Sequence, residues 1–463
     1  MYICAVMKKF KHIAGITLLL ALTGGGIWLN SLLPIITGYA AKNLASAVFV
    51  SGRETSEVEA LDLNFSFIRY TGNTVDSVNK TVTSRFLWAS STAAWREGYG
   101  VTLLRGATAD ELRAQKYPLQ IQTPASERPL PEGDSAVSAR MAYVGDAFMK
   151  GRAYGGHPFA FVVMHRGGAV CERYDEGITP GTRLLSWSMA KSFTNAVAGA
   201  MVQDGLVDIN APTGIEQWQE DGRRDITLND LMQMQSGLEW NEDYGARSDV
   251  NLMLHCTEDM GLYAINKPLQ QKPGTRWYYS SGSTNIVMRC LRDKFPTQRE
   301  FLSYIDRRLY TPLDIRDAVF EEDMSGTPVG SSYLYLTARG FARFGQMYLD
   351  DGCVGDERIL PEGWVAYTAT PASDSRGAYG SFFWLNRMDY NDIPSWTERE
   401  GSKPDRLPDA PSDVFYCNGH DGQRVYIIPS KELVVAVLSY SPKPDGVIDF
   451  NALLRDVVNA IDN

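Results

Sequence analysis

Ser188-Met189-Ala190-Lys191, continued by Ser192-Phe193-Thr194-Asn195-Ala196-Val197-Ala198-Gly199-Ala200-Met201, is the stretch on which the reading of this chain turns. The spacing predicts a helix over about Ser188 to Asp204, halted at Gly205. Phe193, Val197, Ala200 and Met201 then form the kind of stripe that faces a core. Residues three apart on a helix share a face, so the Ser188 hydroxyl and the Lys191 amine are expected to be neighbours. A serine becomes a nucleophile only beside a base. A lysine can be that base when burial disfavours its charged form. The start of a helix also offers free N–H groups and a positive dipole end to an oxyanion. The same pattern at Ser77-Val78-Asn79-Lys80 lies in a polar stretch beside Gly72 and Asn73, with no apolar helix behind it.

Elements on both sides of this helix complete a domain. Ser135 to Gly151 predicts a helix, and Pro158 to Tyr174 two strands joined at Arg166-Gly167-Gly168. Further helices are expected near 227–236, 283–292 and 335–350. Two strands, GQRVYIIPS and ELVVAVLSYS, precede a terminal helix over about 447–461. Strands at both ends with helices between predict one sheet built from both termini and covered by helices, an α/β layered domain.

Two loops add chemistry. Pro273-Gly274-Thr275-Arg276-Trp277-Tyr278-Tyr279-Ser280-Ser281-Gly282 is a Pro-Gly turn followed by aromatics, a place where a tyrosine can be presented. A phenol beside a lysine can relay a serine's proton. The plainer alternative is a set of core aromatics with polar tips. Asn418-Gly419-His420-Asp421-Gly422-Gln423 runs into a strand from Arg424 to Ile428. Small residues flanking a histidine at a strand edge let a substrate backbone come close, and the Gln423 N–H is a candidate oxyanion donor. His165-Arg166-Gly167 has the same form but precedes Ser188, in a hairpin turn.

In this order the three pieces resemble the serine beta-lactamase and penicillin-binding protein superfamily. The likeness is to the side of class C beta-lactamases, DD-peptidases, carboxylesterases and 6-aminohexanoate-dimer hydrolases. The Ser-x-x-Lys motif falls on Ser188 and Lys191. Pro-Gly-Thr-x-x-x-Tyr places the family's tyrosine on Tyr279 rather than Tyr278, and Lys/His-x-Gly falls on His420-Asp421-Gly422. The motif residues are separated by 91 and then 141 positions, as suits the class C-like branch. Thr227 to Met232 with Ser236 to Trp240 resembles the segment between the first two motifs. Asn241-Glu242-Asp243-Tyr244, followed by Ser248-Asp249-Val250, is most similar to the aminohexanoate-dimer hydrolase branch, where a tyrosine on this loop contacts the substrate amide. Tyr244 is the candidate for that tyrosine by position.

The resemblance covers about 135–463 and implies a beta-lactamase/transpeptidase-like α/β (α+β) fold, a central antiparallel sheet flanked by helices plus an all-helical part. It implies an acyl-enzyme on Ser188, proton transfer by Lys191 and Tyr279, and an oxyanion held by the Ser188 and Gln423 N–H groups. Substrate contacts fall to His420, Gly422, Ser281 and Tyr244. Two departures weaken an antibiotic substrate. Ser281 stands where beta-lactamases carry the asparagine of Tyr-x-Asn, and His420 stands where they carry a lysine, removing a fixed cation at neutral pH. The expected activity is therefore hydrolysis of an amide or ester. The alternatives are a beta-lactamase or DD-peptidase, or a penicillin-binding sensor that acylates without turnover.

Composition agrees with such a soluble catalytic domain. Hydrophobic residues are 44% and charged residues 22% of 463, ordinary globular usage. A net charge of −10 argues against a nucleic-acid partner. Six scattered cysteines without a CxxC pair, and five histidines without an HExxH pattern, predict no metal and no cofactor. The even cysteine count permits disulfides without specifying any.

Lys8, Lys9 and Lys11 precede a stretch, His12 to Ala41, without an acid, lysine or arginine, and Ile13 to Leu29 within it is mostly apolar. Basic residues before such a segment hold the N-terminus in the cytoplasm and leave the remainder outside. Gly38-Tyr39-Ala40 has the small residues of a cleavage site, yet the segment can span a bilayer of about 30 Å. Residues 1–42 are read as an anchor, with a cleaved signal segment as the alternative, and the catalytic domain as periplasmic. Residues 43–134, with a strand at AVFV and alternations at FSFIRY, TVTSRFLWAS and YGVTLL, are expected to form a β-rich lead-in.

Overall fold

A computed structural model describes residues 2–114, 128–391, 402–441 and 447–463, without the side chains of 2–16 and 18–22. The chain begins with a single long helix, α1 (Tyr2–Phe49). Four strands follow, β1 (Gly72–Asp76), β2 (Thr81–Phe86), β3 (Ala89–Arg96) and β4 (Gly100–Leu103), paired antiparallel in that order. Helix α2 (Ser135–Met149) is opened by Asp134, whose carboxylate accepts from the N–H groups of Ala136 and Val137 at 2.9 Å. Then come β5 (Pro158–His165), β6 (Gly168–Tyr174), α3 (Ala190–Gln203), α4 (Ser281–Arg292) and α5 (Ala338–Leu349). The final elements are β7 (Trp384–Leu385), β8 (Phe415–Gly419), β9 (Gln423–Ile428), β10 (Leu433–Ser439) and α6 (Phe450–Asp462).

Strands from both ends of the domain form one six-stranded antiparallel sheet, ordered β7-β8-β9-β10-β5-β6. Its central strands are buried along their whole length, which explains why β10 reads as an unbroken apolar run rather than an alternation. The two faces carry different helices. Gly145 of α2 lies so close to Cys171 that a Cβ would stand 2.6 Å from its Sγ. Gly345 of α5 approaches Val434 and Val425 equally closely from the other side. Helix α3 is enclosed on every side from Ala190 to Met201. Its one internal amide, Asn195, is held by Tyr348 at 2.6 Å, Trp364 at 2.8 Å and the Ser381 carbonyl at 2.8 Å. This is the beta-lactamase-like α/β fold, with its helical part around α3 and α4.

The start of the chain departs from expectation. AVFV at 47–50, read as a strand, is instead the end of α1 and the turn after it, because Ala40, Ala41, Leu44 and Ala45 are fully buried on the helix and small residues let it lie close to its neighbours. FSFIRY is likewise not a strand but a 3₁₀ turn at Ile68–Tyr70. The boundary expected after residue 42 therefore falls inside a helix. Lys42 is fully buried and ion-paired with Glu321 of the catalytic domain, beside Ser46, whose hydroxyl donates to Glu321 at 2.9 Å. The Lys42 ammonium also sits 3.9 Å over the Tyr333 ring. The run Thr23–Phe49 is long and apolar enough to cross a membrane, yet most of its apolar window is enclosed by protein. Cys171, Cys256, Cys290, Cys353 and Cys417 are free thiols.

Candidate active site

Ser188 lies in a single 3₁₀ turn, Trp187–Met189, that feeds directly into α3. Trp187 takes φ +44°, a left-handed conformation uncommon for a bulky side chain and usually found where the surroundings impose it. One turn later Lys191 is 1% exposed. Its Nζ lies 2.9 Å from Ser188 Oγ, 3.0 Å from Ser281 Oγ and 3.0 Å from the Ser331 carbonyl. These three partners exhaust the donors of an ammonium. A neutral amine has two hydrogens, which the Ser281 hydroxyl and the Ser331 carbonyl can take, and its lone pair is then left facing the Ser188 hydroxyl. Burial drives the Lys191 pKa down to about 8, with the nearby Glu242 carboxylate opposing the shift.

Tyr279, 4% exposed, closes the other side of this group. Its ring lies 4.8 Å from Lys191 Nζ, and its phenol faces the Ser188 side chain. Burial pushes that phenol well above its ordinary value, with Glu242 adding to the shift, so it is a proton donor and relay rather than a standing base. Tyr278 points elsewhere; its hydroxyl accepts from the Glu242 N–H at 3.4 Å. The structure thus brings Ser188, Lys191, Tyr279 and Ser281 together.

Behind them stands a residue that sequence reading passed over. Glu242 is 1% exposed and accepts from the Ser281 hydroxyl at 2.5 Å, the Ser281 N–H at 2.9 Å, the Trp240 indole at 2.5 Å and the Tyr244 hydroxyl at 3.2 Å. Burial raises its pKa and Lys191 opposes the rise. Nothing in Asn241-Glu242-Asp243-Tyr244 separates a buried acid from two solvated ones, and only the fold makes the distinction.

The third motif forms the mouth. His420 is half exposed, stacked on Tyr244 with ring centres 5.5 Å apart and set edge-on to Trp187 at 5.7 Å. Its Nε2 is 3.2 Å from Asp421 Oδ1. Asp421 and Gly422 have φ +55° and +89°, so the chain turns sharply before β9, and a Cβ on Gly422 would meet Ser439 Oγ at 2.4 Å. The Gln423 N–H donates to the His420 carbonyl, closing that turn, and the Gln423 amide is clasped by the Ser439 backbone. The decoys lie elsewhere: Ser77 and Lys80 are exposed in the β1–β2 turn, and His165 ends β5. No group of three or more His, Cys, Asp and Glu side chains among the described residues could hold a metal ion.

On this fold a buried lysine stands between a serine and a tyrosine, and the protein is a serine hydrolase of the beta-lactamase superfamily. The chain belongs to the Beta-lactamase family, which its residues 134–459 match. A 6-aminohexanoate-dimer hydrolase of Paenarthrobacter ureafaciens is 24% identical over 333 residues, 65% of this chain and 78% of that protein. Among solved structures, a penicillin-binding protein homolog from Caulobacter crescentus is similar with a TM-score of 0.52 at 12% identity, covering 71% of this chain and 98% of that one. A family VIII carboxylesterase is similar with a TM-score of 0.51 at 14% identity, covering 72% and 99%.

Proposed function

We propose that Ser188 is acylated by a small amide or ester and that water then releases the acid. The observation that carries this reading is the triple contact of Lys191 Nζ at 2.9–3.0 Å, which aims a depressed amine at the Ser188 hydroxyl. Ser188 Oγ bonds to the carbonyl carbon as its proton passes to Lys191. Tyr279 carries a proton to the departing amine or alkoxide, the C–N or C–O bond breaks, and water repeats the sequence on the acyl-enzyme. The Ser188 N–H holds the oxyanion. The Gln423 N–H joins it by exchanging the His420 carbonyl for the substrate, each such donor being worth about 3 kcal/mol. Tyr244 and His420 line the approach and Gly422 borders it, whereas Ser281, expected as a substrate contact, is fully buried between Lys191 and Glu242 and acts on the lysine instead.

An amide substrate is favoured by the likeness to the dimer hydrolase, and an ester by the likeness to the carboxylesterase. A beta-lactam is disfavoured, because Ser281 is already bound on both sides, to Lys191 and Glu242, and has no amide to offer an antibiotic side chain. Helix α1 is a retained anchor rather than a cleaved signal, and the catalytic domain sits outside the cytoplasmic membrane. Three lysines before the apolar run support this orientation, and the burial of α1 from Leu33 onward supports retention. The test is a panel with the full chain: the linear dimer of 6-aminohexanoate, a short-chain p-nitrophenyl ester and a simple penicillin. Turnover of the amide or ester is expected. Consumption of the penicillin alone would overturn the assignment.

A further inference from the structure

Among the described residues, six of the ten exposed large apolar side chains fall on α1 and at positions 67, 70, 87 and 88 nearby, while Val78, Tyr143, Leu206 and Val447 stand apart. Ile27 and Trp28 on α1 are 69% and 61% exposed, and Leu87 and Trp88 are 60% and 65% exposed. The last two form the whole turn between β2 and β3, since Phe86 pairs directly with Ala89. A two-residue hairpin turn favours glycine, asparagine or aspartate, because a position with positive φ penalises a side chain. Here Leu87 holds φ +53°, so a costly conformation presents a leucine and a tryptophan to the outside. The Trp88 indole donates to the Asn30 side chain at 2.8 Å, which fixes the hairpin tip at the level of Trp28 on α1. Exposed Phe67 joins the group, its ring 6.4 Å from that of Phe86, and exposed Tyr70 follows one turn on.

We infer that this collar seats in the interfacial layer of an anionic phospholipid bilayer, at the outer end of the membrane-crossing part of α1. The inference rests on the reading of α1 as an anchor and goes beyond it. Three observations choose a bilayer over a protein partner. The collar is continuous with the apolar run Ile13–Leu29, and the helix from Lys11 to Trp28 rises about 26 Å, close to the hydrocarbon thickness of about 30 Å. Tryptophan and tyrosine at that depth are the ordinary furnishing of a membrane interface. The charge also fits. In a chain of net −10, Arg69 and Arg85 are exposed close in sequence to the aromatic side chains of the collar, whereas Arg96 is buried against Glu322 and Lys80 lies in the far turn with Val78. Seated this way, α1 carries Tyr39 some eleven residues, or about 16 Å, above the collar. Tyr39 stacks at 6.3 Å on Trp187, the neighbour of Ser188, so the site opens close to the membrane surface.

The experiment places the photocrosslinker p-benzoylphenylalanine singly at Leu19, Leu87 or Val78 of the full chain. Each form is reconstituted into vesicles of phosphatidylethanolamine and phosphatidylglycerol with a fluorescent phospholipid tracer. Val78 is the internal comparison: it is 90% exposed but lies in the turn at the opposite end of β2, about 20 Å from Leu87. Lipid labelling at 19 and 87 but not 78 is the expected result. Labelling at 19 without 87 overturns the collar and leaves the anchor standing. Labelling at neither 19 nor 87 removes the anchor reading and the collar with it. Equal labelling at 78 and 87 contradicts a seated orientation.

Discussion

Lys191 and Glu242 meet through one hydroxyl: Ser281 Oγ accepts from Lys191 Nζ at 3.0 Å and gives its own proton to Glu242 Oε1 at 2.5 Å. The buried carboxylate therefore steadies the charged form of the lysine from behind, while desolvation works against it. Since the serine is activated by a neutral amine, acylation is expected to be weak below the Lys191 pKa of about 8 and to rise as the pH passes through it. Replacing Glu242 by glutamine removes the group that holds this pKa up. The rising limb of the acylation rate should then move to lower pH by about one unit or more, as charges a few ångströms apart in a protein interact by roughly 2–4 kcal/mol. Single-turnover rates with a p-nitrophenyl ester across pH check this; a limb that stays in place refutes the coupling.

Ser281→Ala breaks the same relay in its middle. The carboxylate loses a donor and the lysine an acceptor, both in a dry site. Stability is expected to fall by about 1–3 kcal/mol in denaturant unfolding. The fall in kcat should exceed any change in KM, because Ser281 acts on the lysine rather than on the bound substrate.

Much of this was legible beforehand, for a physical reason. Ser188 and Lys191 sit three apart, a local offset that puts them on one helix face, while Tyr279, 91 positions on, was marked by its Pro-Gly-Thr-x-x-x-Tyr motif. The strands of β5 and β10 declare themselves by their apolar runs. Glu242 was not legible, because burial is a property of what packs around a residue and not of its neighbours in the chain. AVFV at 47–50 misled for the related reason that it has strand propensity, which the tertiary packing of α1 through its buried small residues overrode. A two-residue turn at Leu87-Trp88 also contradicts local preference, so nothing in the letters marked it.

The buried pair of Lys42 and Glu321 ties α1 to the catalytic domain. Lys42→Met alone leaves a buried carboxylate without its counter-charge and is expected to destabilise the full chain by about 3–5 kcal/mol. Pairing it with Glu321→Leu should recover most of that loss. Thermal unfolding in detergent of the single and double variants decides the matter, equal losses in both being the contrary result.

Gly419 passes the carbonyl of Ser186 so closely that a Cβ would stand 2.3 Å from that oxygen. Gly419→Ala must push the end of β8 away from the turn that holds Ser188. Overpacking of this kind costs about 1–3 kcal/mol, and the displacement should lower kcat/KM at least tenfold while β9 and β10 remain folded, as seen by circular dichroism. Unaltered kcat/KM would mean that the spacing of these two loops is not needed.

The central claim is that Ser188 carries the acyl group. Intact-mass and peptide-mapping spectra of the full chain, quenched early in turnover of an activated ester, test it most directly. The account predicts one acyl adduct on Ser188, absent in Ser188→Ala and slow to form in Lys191→Ala. An adduct on another residue, or undiminished turnover by Ser188→Ala, would contradict it.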